Sequence, residues 1–155
     1  MNVFERLIEL LKEKGAAYME SRHAPVFTSE EAAQVRGAPL ASGAKALICK
    51  ADGEFVLFVL PGDRRLDSKQ VRKAFGFRSV RFASREKVEQ LTTLLPGSIP
   101  PFGSLFGFVT YCDVELGTQP RINFNAGDHS ISLSMTFDDY VKAEAPKLGS
   151  ISGAP

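Results

Sequence analysis

Two apolar runs constrain this chain more than any other feature: residues 44–49 and 55–60, separated by Lys50-Ala51-Asp52-Gly53-Glu54. An Asp-Gly pair between strand-length runs marks a tight hairpin, because both central residues of such a turn need positive φ. Neither run alternates cleanly between apolar and polar residues. A strand of that kind is covered on both faces, so the rest of the chain must supply a layer on each side. With 155 residues, 44% of them hydrophobic, one core can do this without a disulfide or metal.

The flanking segments read as short, capped elements. Val3, Leu7, Leu10 and Leu11 recur at helical spacing over residues 3–14, and Gly15 ends that helix. An extended piece follows at 18–21. Thr28 with Glu31 forms a capping box for a helix to Arg36, broken by Gly37 and Pro39. Beyond the hairpin, Pro61-Gly62-Asp63 closes the second strand and Asp67 caps a helix that Gly76 stops near Phe75. Residues 80–83 form a brief strand, and Ser84 caps a helix to about Leu94.

Residues 96–103 hold three prolines and two glycines, which rules out a helix or a central strand. Strand material is expected at 106–111 and 113–116. A second hairpin joins residues 121–125 to 129–133 around Ala126-Gly127-Asp128, so that His129 begins a strand. Thr136 caps a last helix to about Ala145, and residues 146–155 are expected to be a loose tail. With hairpins and no regular strand-helix alternation, the fold class expected is α/β of the α+β type. Its mixed, mostly antiparallel sheet is surrounded by helices in one domain spanning residues 1–155.

Charge is unevenly distributed. Residues 61–90 carry nine basic side chains against four acidic ones, a net +5, and the remainder carries −4. Such a field attracts polyanions, yet it is also what helices show to water. No common nucleic-acid module is signalled, and DNA is not an expected partner. The opening stretch alternates charged and apolar residues, unlike a signal peptide or a membrane span. Cys49 and Cys112 sit in apolar stretches and read as free thiols of a reducing compartment. The expectation is a cytoplasmic protein with no membrane partner.

The sequence lacks C-x-x-C, H-E-x-x-H, G-x-S-x-G and the P-loop pattern, and has two histidines, His23 and His129. No metal site and no cofactor are expected. Three features remain. Lys45 interrupts an apolar strand, either as a solvent-facing side chain or as a cation rising into a cleft. His129 is either an exposed turn residue or a substrate-facing group. The glycines of 96–103 can present backbone N–H groups to an oxyanion or a phosphate.

In order along the chain stand His23-Ala24-Pro25-Val26-Phe27-Thr28 with Glu30 and Glu31, then Gly43-Ala44-Lys45-Ala46-Leu47. Pro61-Gly62-Asp63 with Leu66-Asp67 follows, then Gly97-Ser98-Ile99-Pro100-Pro101-Phe102-Gly103, and finally Asn125-Ala126-Gly127-Asp128-His129. This series resembles the prolyl-tRNA synthetase editing-domain superfamily, often called the YbaK family, over nearly the whole chain.

The resemblance implies a free-standing deacylase that hydrolyses the ester of mischarged aminoacyl-tRNA, with an aminoacyl-tRNA synthetase as a second candidate partner. It implies catalytic roles for Lys45, Gly97, Gly103 and His129. Phe27, Ala46, Ser98, Ile99, Pro100, Phe102 and Asp128 would face substrate, and Arg64, Arg65, Lys69, Arg72 and Lys73 of the basic stretch would hold tRNA. Some alanine-clearing members carry asparagine where this chain has Ala46, so no amino-acid substrate is carried over. A binding module without turnover and a small-molecule hydrolase or binder on the same fold remain alternatives.

Overall fold

The computed structural model describes residues 1–155. Helix α1 (Val3–Glu13) starts at a capping box between Asn2 and Glu5 and buries Val3, Leu7 and Leu11 along one stripe. Strand β1 (Met19–Arg22) follows. Helix α2 (Ser29–Arg36) has the expected Thr28–Glu31 box and ends on Gly37 in the left-handed region. The hairpin comprises β2 (Ala44–Ala51) and β3 (Glu54–Pro61), with Asp52 and Gly53 at φ 48° and 86° in the two-residue turn.

Strand β4 (Arg65–Leu66) leads into α3 (Ser68–Phe75), capped by Asp67. Strand β5 (Val80–Phe82) and α4 (Arg85–Thr92), capped by Ser84, follow. Beyond the proline-rich segment come β6 (Thr110–Asp113), β7 (Ile122–Asn125), β8 (Ile131–Met135) and α5 (Phe137–Glu144), capped by Thr136. The chain closes with β9 (Lys147–Gly149) and β10 (Ser152–Gly153).

The main sheet has the order β5-β2-β3-β6-β9. Its β3–β6 and β6–β9 pairs are parallel and the others antiparallel. A second, antiparallel sheet runs β1-β8-β7, and a bridge from Gly43 to Asn123 joins the two. Strand β10 pairs with β4. The covering of both hairpin faces is visible in β3. Leu57 and Val59 enter a cluster of 22 buried residues that includes residues of α1, α5, β7 and β8. Val56 and Phe58 enter a second cluster of 7 with Val71 and Ile151. The period of two divides one strand between two cores. No helix is long and apolar enough to cross a membrane.

Three local expectations fail. Of the strand expected at 113–116 only Asp113 is strand: it ends β6, and its Oδ1 accepts the Glu115 N–H at 2.8 Å where Val114–Thr118 turns into a 3-10 helix. The strand expected at 106–111 begins only at Thr110, because Phe106 still belongs to a 3-10 turn, Gly103–Phe106. His129 lies in a turn, two residues before β8, because the Asp128 carboxylate takes the Ser130 N–H and hydroxyl and closes a local loop.

The tail is docked, not loose. Strand β9 pairs with β6, Ile151 is fully buried, and Asp113 Oδ2 accepts both the Ile151 N–H and the Ser152 hydroxyl. A carboxylate 1% exposed must find donors, and this segment supplies them.

The far end of the proline-rich segment is anchored beneath α5. Glu144 accepts Ser104 N–H at 3.1 Å, Ser104 Oγ at 2.6 Å and Thr110 Oγ1 at 2.6 Å. Burial nevertheless outweighs these bonds and raises the carboxyl above its ordinary value. A raised folded pKa gives stability that is complete at acid pH and is lost as pH rises through that value. The stability of Glu144→Gln measured against wild type is therefore expected to improve with rising pH across that window. Denaturant titrations over the series check this, and a constant gap would remove Glu144 from the account. Ile151→Ala is expected to cost about 2–5 kcal/mol by the same measurement. A change within experimental error would mean that the tail does not dock.

Candidate active site

A cleft of about 380 Å³ opens between α2, the first half of β2, residues 96–99 and β7. It exists because β5 pairs with β2 only at Cys49, Lys50 and Ala51, which leaves the earlier half of that strand edge without a β5 neighbour. Lys45, Ala46, Phe27, Gly97 and Ile99 all line it.

Lys45 is the second residue of β2, opposite Leu60. Its Nζ donates to the Arg64 carbonyl oxygen at 2.6 Å. Burial lowers its pKa, with Glu30 raising it, Arg65 lowering it and Asp63 raising it in decreasing measure. No carboxylate lies at ion-pair distance: Arg22–Glu20 is the only salt bridge in the molecule. An ammonium has three donors, so two remain for a ligand.

Gly97 faces Lys45's cleft at φ +93°, a conformation few side chains tolerate. Its carbonyl accepts Asn125 Nδ2 at 2.7 Å, and Gly127 N–H donates to the next carbonyl, Ser98 O, at 2.9 Å. These bonds hold the loop from the β7–β8 hairpin. The N–H groups of Gly97 and Ile99 donate to no protein acceptor. The cleft thus joins a half-buried cation to a hydrogen-bonded loop with amides that no protein acceptor claims, a combination suited to binding an anion or stabilising a developing oxyanion.

Arg36 was not a sequence candidate. It also lines the cleft, donating through Nε to Ser132 Oγ at 2.9 Å and through Nη2 to Asn125 Oδ1 at 3.0 Å. Burial alone lowers its pKa to about 10. At the last residue of α2 it reads in the sequence as an ordinary cation at a helix C-terminus, so no local signal marks it. His23 shares the same serine, with Nε2 2.7 Å from Ser132 Oγ. A polar chain therefore runs from His23 through Ser132, Arg36 and Asn125 to the Gly97 carbonyl.

Other candidates lie elsewhere. His129 stands behind the loop rather than in the cleft. Its ring packs on Phe27 at 4.6 Å, and its buried Nε2, without a hydrogen-bond partner, lies 3.6 Å from where a Cβ on Gly97 would be. Gly103 is buried away from the cleft, donating to Thr110 Oγ1, and a Cβ there would come within 2.5 Å of that oxygen. Its glycine is required by packing. Ser98 is turned inward, its hydroxyl donating to Leu95 O, and Pro100 is buried. Phe102 is a core residue, edge-on to Phe124 and Tyr140. Asp128 is spent on its turn.

Of the basic stretch, Arg65, Lys69, Arg72 and Lys73 are exposed, whereas Arg64 is committed to Ser152 by two hydrogen bonds. Neither cysteine offers a thiolate: burial pushes Cys49 up to about 12 and Cys112 further.

Known proteins resemble this chain in sequence and in fold. A model of the aminoacyl-tRNA editing domain matches residues 23–143. The multifunctional Ser/Thr-tRNA deacylase ProXp-y of Escherichia coli (strain K12) is 34% identical over 149 residues, covering 93% of this chain and 89% of that protein. The proline--tRNA ligase of Macrococcus caseolyticus is 30% identical over 141 residues, 88% of this chain but 25% of the ligase. In fold, the structure of hypothetical protein APE2540 is similar at a TM-score of 0.87 and 24% identity, with 96% of this chain and 99% of that one covered. With its cleft built on a strand-borne lysine and a glycine-proline loop, the chain belongs to the aminoacyl-tRNA editing domain family, known for trans-editing deacylase activity.

Proposed function

We propose that this protein is a free-standing, cytoplasmic deacylase that hydrolyses the ester between a mismatched amino acid and the terminal ribose of tRNA. The observation that carries the reading is the meeting of Lys45, unpaired with any carboxylate, and the free amides of Gly97 and Ile99 in one cleft. Water adds to the ester carbonyl carbon, the carbonyl oxygen gains negative charge, and the bond to the ribose oxygen breaks as that oxygen takes a proton. The amides stabilise the oxyanion, while Lys45 and Arg36 hold the polar, anionic end of the substrate. An aminoacyl ester is already activated, so positioning and electrostatics suffice without a protein nucleophile.

The relative named a Ser/Thr-tRNA deacylase makes seryl- and threonyl-tRNA the first substrates to test. A panel of mischarged tRNAs with purified protein should show ester hydrolysis for at least one small amino acid. Binding without turnover across the panel would instead make this a recognition module. On the substrate that is turned over, Lys45→Ala should lower kcat/KM by about 2–4 kcal/mol of transition-state stabilisation with the fold intact by circular dichroism. Unchanged kcat/KM at matched salt would remove the lysine from the mechanism.

The exposed part of the basic stretch is assigned to the acceptor stem. Phosphate contacts release counterions, so the double variant Arg72→Ala, Lys73→Ala should weaken affinity similarly for different tRNAs and flatten its dependence on salt. Hydrolysis of a minimal aminoacyl-adenosine, which has no stem, should stay near wild type. Equal slopes of log binding constant against log salt for the two proteins would make this patch plain surface.

A further inference from the structure

Lys45 is hydrogen-bonded to a backbone carbonyl, and what holds that carbonyl in place lies at the other end of the chain. The Arg64 oxygen that accepts Lys45 Nζ at 2.6 Å belongs to a turn closed by Arg64 N–H donating to Pro61 O. The side chain of the same arginine reaches the C-terminal segment, donating through Nε to Ser152 Oγ at 2.7 Å and through Nη2 to Ser152 O at 3.0 Å. Ser152 Oγ in turn donates to Asp113 Oδ2 at 2.6 Å.

The direction of this chain is forced. A hydroxyl has one proton to donate, and Ser152 directs it to the Oδ2 of Asp113, a side chain 1% exposed. The Ser152 oxygen is left as an acceptor, polarised by the carboxylate, for a guanidinium that can only donate. Two bonds from one planar fork onto one residue fix the arginine's orientation. The Asp67 N–H donating to Ile151 O and the pairing of Ser152 with Leu66 hold the same turn from its far side.

We propose that Asp113, Ser152 and Arg64 form a positioning relay through which the C-terminal segment aims the Lys45 ammonium into the cleft. The relay presents Lys45 with a neutral acceptor instead of a carboxylate, so the ammonium is fixed in place while its charge stays available for an anionic substrate group. Asp113 sits in the buried end of β6, far along the chain from the lysine, and neither it nor Ser152 lines the cleft. They act through Arg64, and Arg64 acts through its main chain.

The inference rests on the hydrolase reading for its kinetic arm but not for its structural one. Ser152→Ala removes the hydroxyl that links carboxylate to guanidinium while leaving the Ser152 carbonyl and the strand pairing. In the full-length protein it should lower kcat about tenfold with KM within about twofold, because misplacement of a catalytic group is felt in the transition state. Val71→Ala, in the small core that also holds Ile151 but outside the relay, serves as the control: it should lower the thermal midpoint and leave kcat and KM unchanged. The second readout needs no substrate. The ¹⁵Nζ relaxation of Lys45 should report a restrained ammonium in wild type and in Val71→Ala, and a freely rotating one in Ser152→Ala.

Restrained Lys45 in Ser152→Ala, or a kcat that tracks the thermal midpoint equally in both variants, would overturn the relay. Should wild type turn over no aminoacyl-tRNA, the hydrolase reading fails, and the Lys45 relaxation still decides whether the relay exists.

Discussion

Everything in this molecule is arranged around one strand that has no solvent face. From Val56 to the end of β3 every residue is buried, and alternate side chains go to different cores. Burial of apolar surface is the largest favourable term available to a domain of this size, and it is realised only if both faces are covered at once. Helices α1 and α5 with the second sheet cover one side. Helix α3 and the C-terminal segment cover the other. The cleft is what remains where β2, the neighbour of that strand, runs past the end of β5 and is left with one open edge. Its location is a by-product of unequal strand lengths in a sheet whose centre is fixed by burial.

Local chemistry made much of this legible in advance. The hairpin was marked by Asp52-Gly53, and every α-helix that the sequence marked with a capping residue begins at that cap: Thr28, Asp67, Ser84 and Thr136. These signals span a few residues and depend on backbone donors that any helix start leaves open. The resemblance to editing domains grouped Lys45, Gly97, Gly103 and His129, of which only Lys45 and Gly97 line one cleft. It also drew in Phe102 and Ser98, which with Gly103 lie in the same motif but are used for packing. A glycine required because Thr110 crowds it cannot be told, in a sequence, from a glycine required by a ligand.

What escaped the sequence are long-range polar bonds. Arg36 finds acceptors at 125 and 132, and Asp113 finds donors at 151 and 152; none of these spacings has a period or a motif. The tail was misread for this reason. Lys147 to Gly153 is rich in small and polar residues with strands of two and three, too short to show alternation. Its docking is decided by a buried carboxylate almost forty positions earlier, which is invisible until the fold brings them together. The same commitment withdraws Arg64 from the basic surface to which its composition assigned it.

The bond between Asn125 and the Gly97 carbonyl is one link in the wall of the cleft. Asn125 is itself held by Arg36, so helix α2, the β7–β8 hairpin and the proline-glycine loop are tied across the cleft mouth by successive hydrogen bonds. Moving these elements apart would cost the Arg36 guanidinium both of its side-chain acceptors, Ser132 and Asn125. Helix α2, the hairpin and the loop are thereby one connected frame, in which a shift of any one of them is felt by the other two.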